Sequence, residues 1–403
     1  MGMQKNTSSR TWLNGAKQGW AAKLVLQMLL ICIAAPPFAR GEDPDNCTPN
    51  FPFKQGWQGA DAAYSIPLPD GRSVWIFGDT LYGEKRASDK DNPRMVRNSI
   101  GISSCDRNTG WKLDYVIRRN AEGQPEDFFK AQHEGTWYWA LDGFLAQGGL
   151  WVTLLRMRNP PNTKAGALRF ETCGADLAKV SGLDADPQKW KLEYFPLIPG
   201  GVGAYPSAAA VVEGGYVYLF ALYETEGRPE ILTRIPIKGL TAPAKNVQYL
   251  SKRGTWEPGL KPEDAMHVME HGNTEMSVKY HPGIGKWLAV VTAPQFFSDA
   301  ILLRTAPSLT GPWTEGEVIY HVPEMQKSYA GYDQDTFCYA AKEHPEFRGA
   351  GSLLFTYVCN TLDVKRLSRD LGIYFPKAVR VPLTLSGAAG AADSPSPVNK
   401  PKP

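Results

Sequence analysis

Apolar positions along the chain fall into short runs that come in pairs around a turn, and the pairing recurs five times. The copies are Asp61 to Asp79 (DAAYSIPLPDGRSVWIFGD), Asp142 to Arg156 (DGFLAQGGLWVTLLR), Tyr205 to Tyr223 (YPSAAAVVEGGYVYLFALY), Glu275 to Thr292 (EMSVKYHPGIGKWLAVVT) and Asp335 to Asn360 (DTFCYAAKEHPEFRGAGSLLFTYVCN). Each sets a small or apolar strand, a turn containing Gly, and a second strand rich in aromatic and β-branched residues. Pro69-Asp70-Gly71 and Glu213-Gly214-Gly215 supply explicit turn chemistry. The copies start 81, 63, 70 and 60 positions apart, so every interval has room for two further strands. Such strands are visible at Asn98 to Ser104 and Trp111 to Arg118, and again at Ile301 to Thr305 and Trp313 to Tyr320. The pattern predicts an all-β, five-bladed β-propeller with four antiparallel strands per blade. A β-sandwich is the competing architecture, and it leaves five similar hairpins unexplained. Trp75, Trp151, Tyr218 and Trp287 stand at equivalent points of the repeat and are expected to pack between blades.

The ends of the chain break the pattern. Lys5, Arg10, Lys17 and Lys23 precede or flank an apolar run from Leu24 to Ala35, and Ala39-Arg40-Gly41 has small-x-small character. Residues 1–41 therefore read as a signal peptide, with Glu42 opening the mature chain. The apolar run is short for a membrane span, so no stable span is expected after cleavage, an uncleaved anchor being the alternative. Leu29-Leu30-Ile31 before Cys32 lacks the small residue that precedes a lipidated cysteine. The propeller is assigned to 42–386. The segment 387–403, rich in Ala, Ser, Pro and Lys, is expected to be a disordered tail. The expected location is secreted or periplasmic.

Composition agrees with many short strands: 39 Gly, 32 Pro and 11% aromatic residues in 403. The formal charge is +3, from 44 basic and 41 acidic residues, which points to no nucleic-acid partner. Beyond the signal lie five cysteines, Cys47, Cys105, Cys173, Cys338 and Cys359. Internal pairing must leave one thiol over. Cys338 and Cys359 fall on the two strands of one hairpin and are the first candidates for a bridge, two buried free thiols being the alternative.

The propeller geometry predicts a site. If each hairpin opens a blade, the first strands all begin at one mouth of the channel and the second strands return to it. That mouth should gather Asp61, Asp142, Tyr205, Glu275 and Asp335 from first strands, and Asp79, Arg156, Tyr223 and Asn360 from second strands. Any one of these has a plain reading as a strand-end turn former. Together, acids, an arginine and tyrosines around one opening suit glycoside hydrolysis. One carboxylic acid must protonate the leaving oxygen, and a second carboxylate must attack the anomeric carbon or activate water. Crowded carboxylates raise the pKa of the acid and keep its proton in place. The partner expected at such a site is a polysaccharide or oligosaccharide.

Several segments carry a family resemblance. Gly59-Ala60-Asp61, Tyr64 to Arg72 (YSIPLPDGR) and Trp75 to Thr80 (WIFGDT) resemble the opening blade of a family of secreted bacterial propellers, long catalogued as a domain of unknown function. Some members are endo-D-arabinanases of glycoside hydrolase family 183. Tyr138 to Phe144, Asn273 to Pro282 and Tyr339 to Glu346 resemble its second, fourth and fifth blades. Ser308 to Trp313 is similar to a turn of five-bladed arabinanases and fructosidases. The resemblance spans Gly56 to Leu385. It implies a propeller glycosidase in which three acids from different blades act. By position it implies Asp61 as base or nucleophile, Glu275 as general acid and Asp142 as pKa modulator, with Asp79 the main competitor.

Other patterns carry less. His267-Val268-Met269-Glu270-His271 fits H-x-x-E-H, but Gly272 and a strand near Glu275 follow where a metal-binding helix would be needed. His271 is instead expected at the mouth as a substrate-binding residue. No cofactor is expected. Asp333-Gln334-Asp335 is a turn with calcium character but too few acids to claim a site. The rival function is a non-catalytic propeller that binds glycan or protein through the same mouth.

Overall fold

The computed structural model describes residues 47–83, 94–106, 108–161, 169–349, 351–363, 366–367 and 372–383. The signal peptide and the C-terminal tail expected from the sequence lie outside the described residues. Five sheets carry the fold. The first contains Trp57–Pro67, Arg72–Tyr82, Ser99–Asp106 and Gly110–Val116, with Arg94–Val96 added beside the second strand. The second contains Thr136–Ala146, Gly149–Arg158, Glu171–Ser181 and Lys191–Pro199. The third contains Ala204–Glu213, Tyr216–Tyr223, Glu230–Pro236 and Gln248–Leu250, extended by Trp256–Pro258 and His267–Met269. The fourth contains Met276–His281, Lys286–Thr292, Ala300–Ala306 and Glu317–His321. The fifth has three described strands, Thr336–Glu343, Ser352–Thr361 and Lys377–Pro382. Within the blades all pairing is antiparallel. Each first strand packs against those of the neighbouring blades, and that of blade five returns to Trp57–Pro67, closing a five-bladed propeller. Helix is sparse among the described residues: one α-turn at Pro243–Asn246, the helical residues 366–367 and short 3-10 turns.

The burial pattern explains the paired apolar runs. The two inner strands of a blade lie between two other blades, so both of their faces are covered, and Val74 to Phe77 and Leu150 to Leu155 are buried throughout. Outer strands face water on one side and alternate, as Gly110–Val116 does. Trp75 is fully buried and stacks on Phe347 of blade five at 5.7 Å, the inter-blade packing expected of it. Tyr218 and Trp287 join the apolar cluster of blades three and four, and each also contacts an aromatic neighbour of its own blade, Trp256 and Tyr280. Cys338 and Cys359 stand directly opposite each other and are bridged. A second bridge joins Cys47 to Cys105, and Cys173 is left as a free thiol.

The two ends of the channel differ. Tight hairpin turns such as 68–71, 147–148 and 214–215 close one end. The other end receives the blade-to-blade segments, including 117–135, 251–275 and 322–335. Functional loops on a rigid scaffold are expected there.

Candidate functional site

Four of the five innermost strands are interrupted at the same level. Their pairing registers shift across Ala60 to Tyr64, Ala140 to Gly143, Pro206 to Ala209 and Tyr339 to Lys342. Such bulges re-aim side chains and free backbone carbonyls. Small residues make them feasible: Ala62, Ala63 and Ala340 have φ of 63°, 63° and 61°, in the left-handed region. Asp61, Asp142 and Lys342 all lie in or at these bulges.

The freed carbonyls hold the floor of the site. The Lys342 ammonium is buried in the channel and donates to the carbonyls of Ala62 and Ala340 at 2.6 and 2.7 Å, and to Glu275 Oε1 at 3.1 Å. It lies 4.3 Å from the Tyr64 ring centroid, and the Tyr64 hydroxyl crosses to the Ala208 carbonyl at 2.9 Å. Burial pulls the Lys342 pKa down, while the charges of Glu275, Asp61 and Asp142 pull it back up. Lysine, tyrosine and glutamate thus join blades one, three, four and five.

Above this floor sit two acids of blade one. Asp61 Oδ2 accepts the Tyr339 hydroxyl at 2.7 Å. Gly78 has no side chain, and a Cβ there would fall on the Asp61 carboxylate. Asp79 pairs with Arg97 at 3.2 Å, and its carbonyl accepts the Tyr374 hydroxyl at 2.8 Å. Arg97 is fixed in turn: its amide donates to Asp127 at 2.7 Å, and its guanidinium covers the Trp137 ring at 4.6 Å. Both carboxylates keep a small face to water while protein surrounds them on other sides. Burial pushes the Asp61 pKa up to about 8, helped by the negative charges of Asp79 and Glu275 and opposed by bonds from Tyr339 and Tyr374. Burial also raises Asp79, to about 6, against the pull of Arg97. Two neighbouring carboxyls whose surroundings push their affinities for a proton apart can supply an acid and a base together.

The other residues expected at the mouth are distributed differently. Asp142 is buried, with its two oxygens taken by the amides of Gly143 and Ala210 at 2.8 Å each, so it ties blade two to blade three. Its charge still bears on Lys342 and Tyr64. Asn360 bonds the Tyr339 hydroxyl and so stands one step from Asp61. Arg156 is engaged within its own blade by Asp176 at 3.2 Å. The Tyr205 hydroxyl accepts the Gly201 amide at 3.1 Å, and the Tyr223 ring lies beside Gly203. The Asp335 amide donates to Asp333, whose carboxylate also pairs with Arg366 at 3.3 Å. His271 is exposed with φ 54°, and His267 meets Glu270 at 3.1 Å on the surface.

Arg97, Tyr339 and Tyr374, which hold the two acids, escaped the sequence reading, as did two buried charges. Lys342 is one. Glu230 is the other: it is fully buried, its Oε1 accepts the Asn273 amide at 2.8 Å, and Gly272 packs against it without room for a Cβ. Asn273 also holds the Thr292 carbonyl at 3.1 Å, so Glu230 moors the segment that leads into Glu275. Burial raises the Glu230 pKa to about 8, against the Asn273 amide and the charges of Arg304 and Arg228. The folded state therefore binds a proton that the unfolded chain releases near the ordinary glutamate value. This stability is complete below that value and is lost as pH rises through about 8. In Glu230→Gln, neutral at every pH, the fall in melting temperature between pH 5 and pH 9 should be shallower than in the wild type, the other raised carboxyls, Asp61 and Asp79 among them, supplying what slope remains. Parallel declines in both proteins would reject a protonated Glu230.

Solved structures of other proteins share this fold. A solved structure described as a "putative hydrolase" from Bacteroides ovatus ATCC 8483 superimposes with a TM-score of 0.63 at 18% identity, covering 81% of this chain and 86% of that one. An exo-β-1,3-galactanase from Phanerochaete chrysosporium matches with a TM-score of 0.45 at 12% identity over 82% of this chain and 62% of that one. An exo-1,5-α-L-arabinanase from a bovine ruminal metagenomic library gives 0.42 at 10% over 82% and 94%. No curated protein matches the chain. The model of one family covers residues 49–382, and the chain belongs to that family, described as a domain of unknown function (DUF5005).

Proposed function

We propose that the protein is an exported glycoside hydrolase that cleaves a polysaccharide by carboxylate acid–base chemistry. The observation that carries this reading is the Asp61–Asp79 pair, each acid held by its own partner, Tyr339 and Arg97, and set above the Glu275–Lys342 ion pair at the loop-bearing mouth. Asp61 holds its proton at neutral pH and suits the general acid. Asp79, paired with Arg97, suits the nucleophile or base. These roles differ from those implied by position within the five-bladed glycosidases, where Asp61 took the base role and Glu275 the acid. A carboxyl that keeps its proton to about pH 8 is a poor base, and Glu275 has Oε1 engaged by the buried Lys342 ammonium rather than turned to a leaving group. In this scheme Glu275 and Asp142 tune the field around Lys342 and Asp61.

Two disulfides support export, as does the order of charged, apolar and small residues before Glu42. The propeller then spans 42–386 of the mature chain. The first-blade likeness to family 183 makes arabinans the first substrates to try. The test is release of reducing ends from plant and mycobacterial arabinans, arabinogalactan and β-1,3-galactan by the purified protein, with Asp61→Asn as control. Release by the wild type alone supports the reading. No release from any of them favours a glycan-binding module.

A further inference from the structure

A row of aromatic rings runs from the proposed acid to open water. The Tyr339 hydroxyl that donates to Asp61 belongs to a ring stacked on Phe337, with centroids 5.5 Å apart and planes at 23°. Phe337 in turn lies 4.6 Å from Phe296, at 30°, and Phe296 meets Phe297 edge-on at 4.9 Å. Tyr339 and Phe337 come from the first strand of blade five. Phe296 and Phe297 come from the segment between the second and third strands of blade four, at the mouth that holds the acids. Phe296 and Phe297 are 57% and 54% exposed.

Adjacent phenylalanines left in water forgo burial, and a polar-rimmed apolar patch of this kind marks a binding face. Gln295, Ser298 and Asp299 flank them in the same segment. The segment is also braced: the Ser298 amide donates to the Gln295 carbonyl at 2.9 Å, the Ala300 amide to Ser298 Oγ at 3.2 Å, and Asp299 meets His321 at 3.1 Å. A face fixed before binding loses little entropy when a ligand arrives.

We propose that Phe296, Phe297 and Phe337 form a shelf that binds sugar residues of the substrate chain beyond the one being cleaved. The proposal deepens the hydrolase reading and rests on it. A sugar ring has an apolar C–H face, which an aromatic ring covers, and a hydroxyl rim, which the polar border serves. The row reaches the acid through Tyr339 without a break, so a chain lying along it continues into the site. A terminal sugar alone would leave the shelf empty. The ligand class is therefore a polymer bound along several units.

Native gels cast with arabinan, arabinogalactan or β-1,3-galactan test this. Asp61→Asn should be retarded like the wild type in at least one gel. The Phe296→Ala/Phe297→Ala double variant should bind that polymer about tenfold more weakly, the effect of uncovering roughly one ring face. Phe297→Tyr keeps the ring and should retain full retardation, and matching circular dichroism melts should show all variants folded. Retardation of the double variant equal to that of Asp61→Asn overturns the shelf, as does a wild type that runs unretarded in all three gels. A wild type that is retarded through the shelf yet releases no reducing ends would sink the hydrolase reading and leave the shelf standing.

Discussion

Asp61→Asn should lower turnover by about 10²–10⁴-fold, the usual contribution of a positioned proton donor, without lowering the melting temperature. Asparagine matches the shape of a protonated aspartate and can still accept the Tyr339 hydroxyl. It cannot deliver a proton to a leaving oxygen. Because Asp61 stays neutral in the folded protein up to about pH 8, replacing it removes no charge on which the fold depends and relieves the cost of holding that proton above the ordinary carboxylate range. Asp79→Asn should cost a similar factor for a different reason, the loss of the negative group that faces the anomeric carbon. The two are separable with an aryl glycoside whose leaving group needs little protonation. Such a substrate should restore much of the rate to Asp61→Asn and almost none to Asp79→Asn. Rescue of Glu275→Gln in place of Asp61→Asn would return the acid role to Glu275, and near-normal turnover by well-folded Asp61→Asn would remove Asp61 from the chemistry.

The fold was legible because a propeller buries the inner two strands of every blade on both faces. That burial wrote five apolar pairs into the sequence, each with its own turn signal. Strand boundaries were less legible. Asp61 lies inside Trp57–Pro67 and Asp142 inside Thr136–Ala146, where the sequence reading had set each at a strand start. The acids reach the site through bulges. The small residues that permit those bulges, Ala62, Ala63 and Ala340, read in sequence only as weak strand formers. Lys342 was hidden by convention, since a lysine in a strand ordinarily marks a solvated face. Its partners Ala62 and Glu275 are separated from it by 280 and 67 positions and meet it only when the ring closes. Arg156 has a partner that the repeat did not announce, Asp176 on the adjacent strand. Pairing across neighbouring strands depends on register, which the repeat alone did not specify.

The dependence of kcat/KM on pH should be bell-shaped, with its maximum between about pH 6 and pH 8. Below that window Asp79 is protonated and cannot act as base, so the rate rises as pH approaches it. Above it Asp61 has lost its proton and cannot act as acid, so the rate falls. The limbs belong to the interacting pair, but each has its own handle. Arg97 holds the Asp79 affinity for a proton down, so Arg97→Gln should move the acidic limb to higher pH and narrow the bell. The Tyr339 hydroxyl holds the Asp61 affinity down, so Tyr339→Phe should move the alkaline limb to higher pH and widen it. Loss of a side chain that merely braces the fold would lower the whole curve without displacing either limb. An alkaline limb that stays in place in folded Tyr339→Phe would mean that Asp61 is not the group that titrates there, and an acidic limb unmoved in Arg97→Gln would say the same of Asp79.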